Sequence, residues 1–80
     1  MGENRLDEAL SRLNEYIAGE PESDEAYFMR GKVYWRIGDK RQALNDYSRA
    51  VGLNPESPAA RALENARDVY DFFNPDIFNP

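Results

Sequence analysis

An all-α fold is predicted for this 80-residue chain: an antiparallel helical hairpin array of about four helices with an apolar C-terminal tail. Three observations predict it. Helix-start and helix-stop residues divide the chain into four segments joined by short connections, which makes sequential helices antiparallel neighbours. Apolar residues recur at spacings of three and four, and no stretch alternates at period two with β-branched residues. The chain also resembles itself after a shift of 34 residues. Together these describe a single domain spanning residues 1–80.

Asn4 is the predicted cap of a first helix ending at Gly19, with Pro21 two residues beyond. Leu6, Ala9, Leu10, Leu13, Tyr16 and Ile17 form its apolar stripe. Ser23 or Asp24 caps a second helix that runs to Gly38. Asp39 caps a third, with Gln42 in capping-box position, and that helix is expected to stop at Gly52, before Asn54-Pro55. Ser57 followed by Pro58 reads as an N-cap with proline at the first helical position. The fourth helix should run to Phe72 or Phe73, because Pro75 pushes Asn74 out of the helical region.

Composition removes several kinds of chemistry. With no Cys and no His there are no disulfides, thiol nucleophiles, imidazole bases or zinc sites of the usual kind. Carboxylate pairs such as Asp68 with Asp71 and Glu20 with Glu22 fall on polar faces and helix ends, where solvation is expected. The glycines sit at helix ends and make no phosphate cradle. No hydroxyl has a base beside it. The expectation is a chain that is not an enzyme, with no catalytic residues, no metal and no cofactor. Ten basic residues against fifteen acidic ones give a net charge of −5, so no nucleic-acid partner is expected. There is no apolar run long enough for a membrane span and no basic-then-apolar leader pattern, and a cytoplasmic location is expected.

The 34-residue shift superposes Ala9 on Ala43, Leu10 on Leu44 and Ile17 on Val51. It also carries Pro21-Glu22-Ser23 onto Pro55-Glu56-Ser57. Residues 24–57 read Tyr27-x2-Arg30-Gly31-x2-Tyr34, then Gly38, Ala43-x3-Tyr47, Ala50 and Pro55. This pattern resembles the tetratricopeptide repeat. Gly31 and Ala43 are small where two helices would cross closely, and Tyr27, Tyr34 and Tyr47 would fill the space between them. Arg30 departs from the family's Leu; its stem is expected to pack while the guanidinium reaches solvent. The resemblance makes 24–57 a complete repeat, 4–23 the second helix of a preceding one and 58–73 the first helix of a following one, with 74–80 as tail. The chain starts in mid-repeat. A trimmed or atypical N-terminus is expected, or a first-helix face that is exposed or covered by another chain.

In that family the first helix of each repeat lines a concave groove. The resemblance implies that Phe28, Met29, Lys32, Trp35 and Arg36 face such a peptide-binding groove here. Helical spacing independently puts Phe28, Lys32, Trp35 and Arg36 on one stripe. Core packing is the competing role for Phe28 and Trp35. Some family members grip a ligand's C-terminal carboxylate with Lys, Arg and Asn; here Phe28 and Met29 stand where that clamp needs polar groups, so it is not carried over.

The expected role is a non-catalytic protein–protein interaction module or scaffold, with an apolar, partly basic groove for a protein or peptide partner. The alternative is a structural, self-associating repeat domain. A homodimer is expected to be possible, because the first and fourth helices would each present an apolar face without a repeat neighbour. In the tail, Phe73-Asn74-Pro75 recurs as Phe78-Asn79-Pro80. Phe72, Phe73, Ile77 and Phe78 are expected to cover the fourth helix, with a groove in the same or another chain as the alternative seat.

Overall fold

The computed structural model describes residues 2–73, and side chains for residues 5–66. The expectations for the tail and for Phe72, Phe73, Ile77 and Phe78 lie outside the described residues. Four helices follow in order: α1 (Gly2–Gly19), α2 (Asp24–Ile37), α3 (Lys40–Leu53) and α4 (Ala59–Phe73). Each packs against the next, most extensively α2 against α3.

The caps explain most boundaries. Ser23 is extended and its side chain accepts from the Ala26 N–H, which settles the choice between Ser23 and Asp24. Asp24 and Glu25 then lie in the first turn, where the helix dipole favours negative charge. Gly38 ends α2 at φ 104°, a left-handed conformation that strains any residue with a Cβ. Its N–H donates to the Trp35 carbonyl, and the Asp39 N–H donates to the Tyr34 carbonyl at 2.9 Å, a Schellman termination. Asp39 at once caps α3 through the Gln42 N–H. Ser57 Oγ accepts from the Ala59 N–H at 3.0 Å to start α4.

Three local expectations are corrected. α1 begins at Gly2, so Asn4 lies within the helix and does not cap it. No proline precedes Asn4 to stop the helix from starting earlier. α3 continues past Gly52 to Leu53 with Asn54 as its cap. Gly52 stays at negative φ, and the Asn54 N–H still donates to the Ala50 carbonyl at 2.8 Å. Gly38 turns left-handed and stops its helix, whereas Gly52 keeps a negative φ and the helix runs on past it.

The third correction concerns Arg30, whose guanidinium does not reach out to solvent. Its Nε donates to Asp46 Oδ2 at 2.8 Å and its Nη2 to Asp46 Oδ1 at 2.9 Å. Nη1 donates to Asn14 Oδ1 at 2.9 Å. One side chain thus joins α1, α2 and α3. The guanidinium also lies 5.5 Å from the Tyr27 ring centre and 5.9 Å from that of Tyr34. The hydrogen bond to Asp46, above all, raises the Arg30 pKa from its ordinary value. The position departs from the repeat pattern because its partner, Asp46, is buried on the facing helix and needs a cation.

The core is built from small residues and tyrosine. Ala26, Ala43, Ala50, Ala59 and Ala66 are buried with Ile17, Tyr27 and Tyr47. Gly31 lies against the Tyr47 ring so closely that a Cβ there would sit 2.7 Å from Tyr47 Cε1 and 3.2 Å from the Ala43 carbonyl oxygen. The α2–α3 spacing is set by this contact. Every buried side-chain nitrogen or oxygen among the described residues has a hydrogen-bond partner.

Two predictions follow from these contacts. Gly31→Ala should lower the thermal midpoint, read by circular dichroism. Overpacking against a buried ring costs about 1–3 kcal/mol, more than the roughly 1 kcal/mol that alanine gains over glycine in helix propensity. Arg30→Leu, although closer to the repeat pattern, should destabilise by about 3 kcal/mol because it strands the buried Asp46 carboxylate. Arg30→Leu combined with Asp46→Leu should recover much of that loss in the same denaturation assay.

Candidate functional site

Helix α2 passes between α1 on one side and α3 with α4 on the other, and the five candidate residues divide accordingly. Phe28 is half-buried, its ring 6.0 Å from that of Tyr47 at 45°. Trp35 is also half-buried and packs against the core. With Tyr47, Ala62, Asn65 and Ala66 it lines a hollow of about 280 Å³ between α2, α3 and α4. Met29, Lys32 and Arg36 are exposed. They line a second hollow, about 210 Å³, with Leu6 and Val33 on the α1 side. Met29 also borders a third, of about 340 Å³, with Arg12, Leu13, Tyr16, Ser23, Glu25 and Ala26.

The structure therefore brings Met29, Lys32 and Arg36 together and puts Trp35 in a different hollow. Phe28 is tied to the basic edge through Lys32, whose Nζ stands 5.1 Å from the Phe28 ring centre. Lys40 Nζ lies 4.5 Å from the ring centre of Trp35. A cation over an aromatic face fixes both groups and leaves the ammonium partly solvated. Phe28 and Trp35 thus combine core contact with partial exposure, so neither of their two expected roles excludes the other.

Sequence reasoning put Leu6, Leu13 and Tyr16 on the apolar stripe of α1 without assigning them to the site, and missed the α4 wall, Ala62, Asn65 and Ala66. A signal for the first was available: the 34-residue shift places Tyr16 on Ala50, a position too confined for a phenol ring in a complete repeat. The α4 residues are small and polar and carry no such mark. Among the described side chains of α4 the exposed positions are Ala60, Arg61, Glu64 and Asn65. The α1 side is different, with Tyr16 and Met29 each 54% exposed.

Charge is distributed along α2. Glu25 stands at its N-terminal end, Lys32 and Arg36 toward its C-terminal end. Arg12 lies within 3.9 Å of Glu8, and both are exposed, so this pair adds little stability. Among the described residues no group of three or more His, Cys, Asp or Glu side chains is placed to hold a metal ion. No helix is long and apolar enough to cross a membrane, among the same residues. The arrangement sets an exposed basic pair, Lys32 and Arg36, beside half-covered apolar groups.

The tetratricopeptide repeat family profile matches residues 24–57. The solution NMR structure of a Bacteroides fragilis protein is 42% identical, superposes with a TM-score of 0.82, and matches 95% of this chain and 80% of that one. DnaJ homolog subfamily C member 3 from Rattus norvegicus is 33% identical over 57 residues, which is 71% of this chain. The Mus musculus protein of the same name is 32% identical over the same length. In each case the match takes in only 11% of the relative's length.

Tyr47, packed against Gly31 and Phe28, has a testable titration. Burial, and then the nearby Asp46 carboxylate, raise the Tyr47 hydroxyl above its ordinary pKa of 10.0. The unfolded chain therefore loses this proton first as pH rises. Stability from Tyr47 is complete below about 10 and is lost as pH climbs from there through the folded-state value. Urea midpoints measured from pH 8 upward should fall above pH 10, and Tyr47→Phe should flatten that fall.

Proposed function

Because this chain belongs to the tetratricopeptide repeat family, we propose that it is a non-catalytic interaction module that takes a peptide segment of a partner protein along the exposed face of α2. Tetratricopeptide repeats are non-enzymatic modules that mediate protein–protein interaction. The finer reading concerns the groove. Phe28 and Trp35 are its aromatic anchors, Met29 its adaptable apolar contact, and Lys32 and Arg36 its basic edge. A peptide with apolar side chains and flanking carboxylates matches that surface.

The observation that carries this reading is the juxtaposition of exposed Lys32 and Arg36 with the half-covered rings of Phe28 and Trp35. Aromatic groups held rigid by a cation and by core contact lose little freedom on binding, which favours their use as anchors. The basic pair stands out in an otherwise acidic chain and would steer an acidic partner toward this face.

Selection from a random peptide display library tests it. The enriched peptides should be apolar and acidic, with dissociation constants in roughly the micromolar range, about −8 kcal/mol. Binding should shift the emission of Trp35, the chain's single tryptophan. Lys32→Glu with Arg36→Glu should weaken binding tenfold or more, chiefly through slower association. Enrichment of basic peptides, or selected peptides that ignore this double variant, would sink the groove assignment.

A further inference from the structure

We propose that residues 74–80 fold back on their own chain and seat Phe78 in the hollow beside Trp35, where they stand in for a partner peptide and hold the groove closed to it. The closing effect rests on the interaction reading above; the seat does not.

The hollow is short of one aromatic ring. Its walls are Trp35, Tyr47, Ala62, Asn65 and Ala66, from three consecutive helices, so neither end of the chain creates it. Under the 34-residue shift Ala62 falls on Phe28 and Ala66 on Lys32. Methyl groups on α4 thus stand where α2 carries a ring with an ammonium 5.1 Å from its centre. About 280 Å³ is left open. An apolar cavity of roughly 150 Å³ accepts a benzene molecule, so one phenyl ring and part of a backbone fit here.

The chain beyond α4 supplies such a ring from close by. Phe72 stands where Gly38 stops α2, and α4 continues through it to Phe73. The left-handed turn that leads α2 into α3 favours glycine, so the segment after α4 leaves the path of the repeat. From Ala66 to Phe73 is about 10 Å along the helix axis. The residues from Asn74 to Phe78, when extended, span about 16 Å, enough to turn and return that distance. Pro75 and Pro80 reduce the freedom that docking must remove. Tethered this close, the segment faces the hollow at an effective concentration on the order of millimolar.

Charge selects the same place. Residues 74–80 contain Asp76 and no basic residue. In an extended segment side chains two residues apart share a side, so Asp76 accompanies Phe78. Lys40 stands over Trp35, its Nζ 4.5 Å from the ring centre, and it forms no ion pair among the described residues. Arg36 and Arg41 add to the positive field, while Asp39, the acidic residue between them, is engaged with the Gln42 N–H. Phe78 in the hollow therefore brings the Asp76 carboxylate to Lys40.

Trp35 is the chain's single tryptophan and reports the seat directly. In the full chain, Phe78→Ser should shift Trp35 emission to the red and roughly double its quenching by acrylamide. A free peptide of residues 71–80 should reverse both changes. Asp76→Lys should act in the same direction, and Asp76→Lys combined with Lys40→Glu should be quenched less than either single variant. Unchanged Trp35 emission and quenching in Phe78→Ser would overturn the seat, and a lower melting temperature without a Trp35 response would place the tail on α4 instead. A dimer in sedimentation that Phe78→Ser dissociates would assign the hollow to the tail of a second copy and overturn folding back within one chain. A tail seated in nine of ten molecules lowers apparent affinity about tenfold, so Phe78→Ser should bind display-selected peptides about tenfold tighter. If Trp35 responds while that affinity stays the same, the seat stands and the closing of the groove is overturned. If Trp35 responds and no selected peptide binds either form, the interaction reading fails and the seat stands.

Discussion

The distance between α2 and α3 is governed by one contact, the face of Gly31 against the Tyr47 ring over Ala43. A side chain at Gly31 would have to occupy space the ring already holds. The two backbones therefore approach closely, and the tyrosines fill the remaining volume in place of branched aliphatic residues. A small chain without disulfides has few other sources of rigidity. Close helix contact gives it density of packing where it cannot have size. The direction in which Phe28 and Trp35 project then follows from how α2 is rotated on α3, so the candidate site depends on the same contact.

Arg30 adds specificity to that packing. A bidentate guanidinium–carboxylate pair constrains both distance and angle, which apolar contact alone does not. The third donor, to Asn14, extends the constraint to α1. Such a pair adds little net stability over a well-packed apolar replacement, because both charges give up water. Its geometric effect is to fix α1 on α2, which sets the walls of the seam that Met29 and Tyr16 line. Tyr27 carries a second cation, Arg49, 5.6 Å from its ring centre, so its ring has a guanidinium neighbour from α2 and another from α3.

The two ends of the array differ in chemistry. The described part of α4 turns Arg61, Glu64 and Asn65 to solvent and buries Ala59 and Ala66. The α1–α2 end exposes a phenol ring and a thioether at positions whose repeat equivalents, Ala50 and Leu63, are buried and partly buried. An apolar surface of this kind, rimmed by charge, is characteristic of recognition, and methionine is suited to contacts that must adapt. The α1-facing half of α2 is thus the more exposed half of the candidate surface.

Much of the fold was legible because its signals are local. Ser23, Gly38, Asp39 and Ser57 act through their own side chains or backbone angles within a few residues, so each boundary they set could be read directly. Gly52 and Asn4 misled because a residue that can stop or cap a helix need not do so when the hydrogen-bond ladder continues past it. Gly31, Ala43 and Tyr47 were legible as a packing set because the 34-residue pattern ties size to position. The sequence by itself determined the helices, the repeat and the small-residue crossing. Tertiary structure alone decided the fate of Arg30 and the division of the candidate site. Asp46 is sixteen residues away and is brought to the guanidinium only when α2 and α3 dock. Likewise, one helical stripe became two surfaces because α1 and α4 approach α2 from different sides. Spacing along a helix fixes which residues share a face, but the neighbours that cover or expose that face are set by packing between helices distant in the chain.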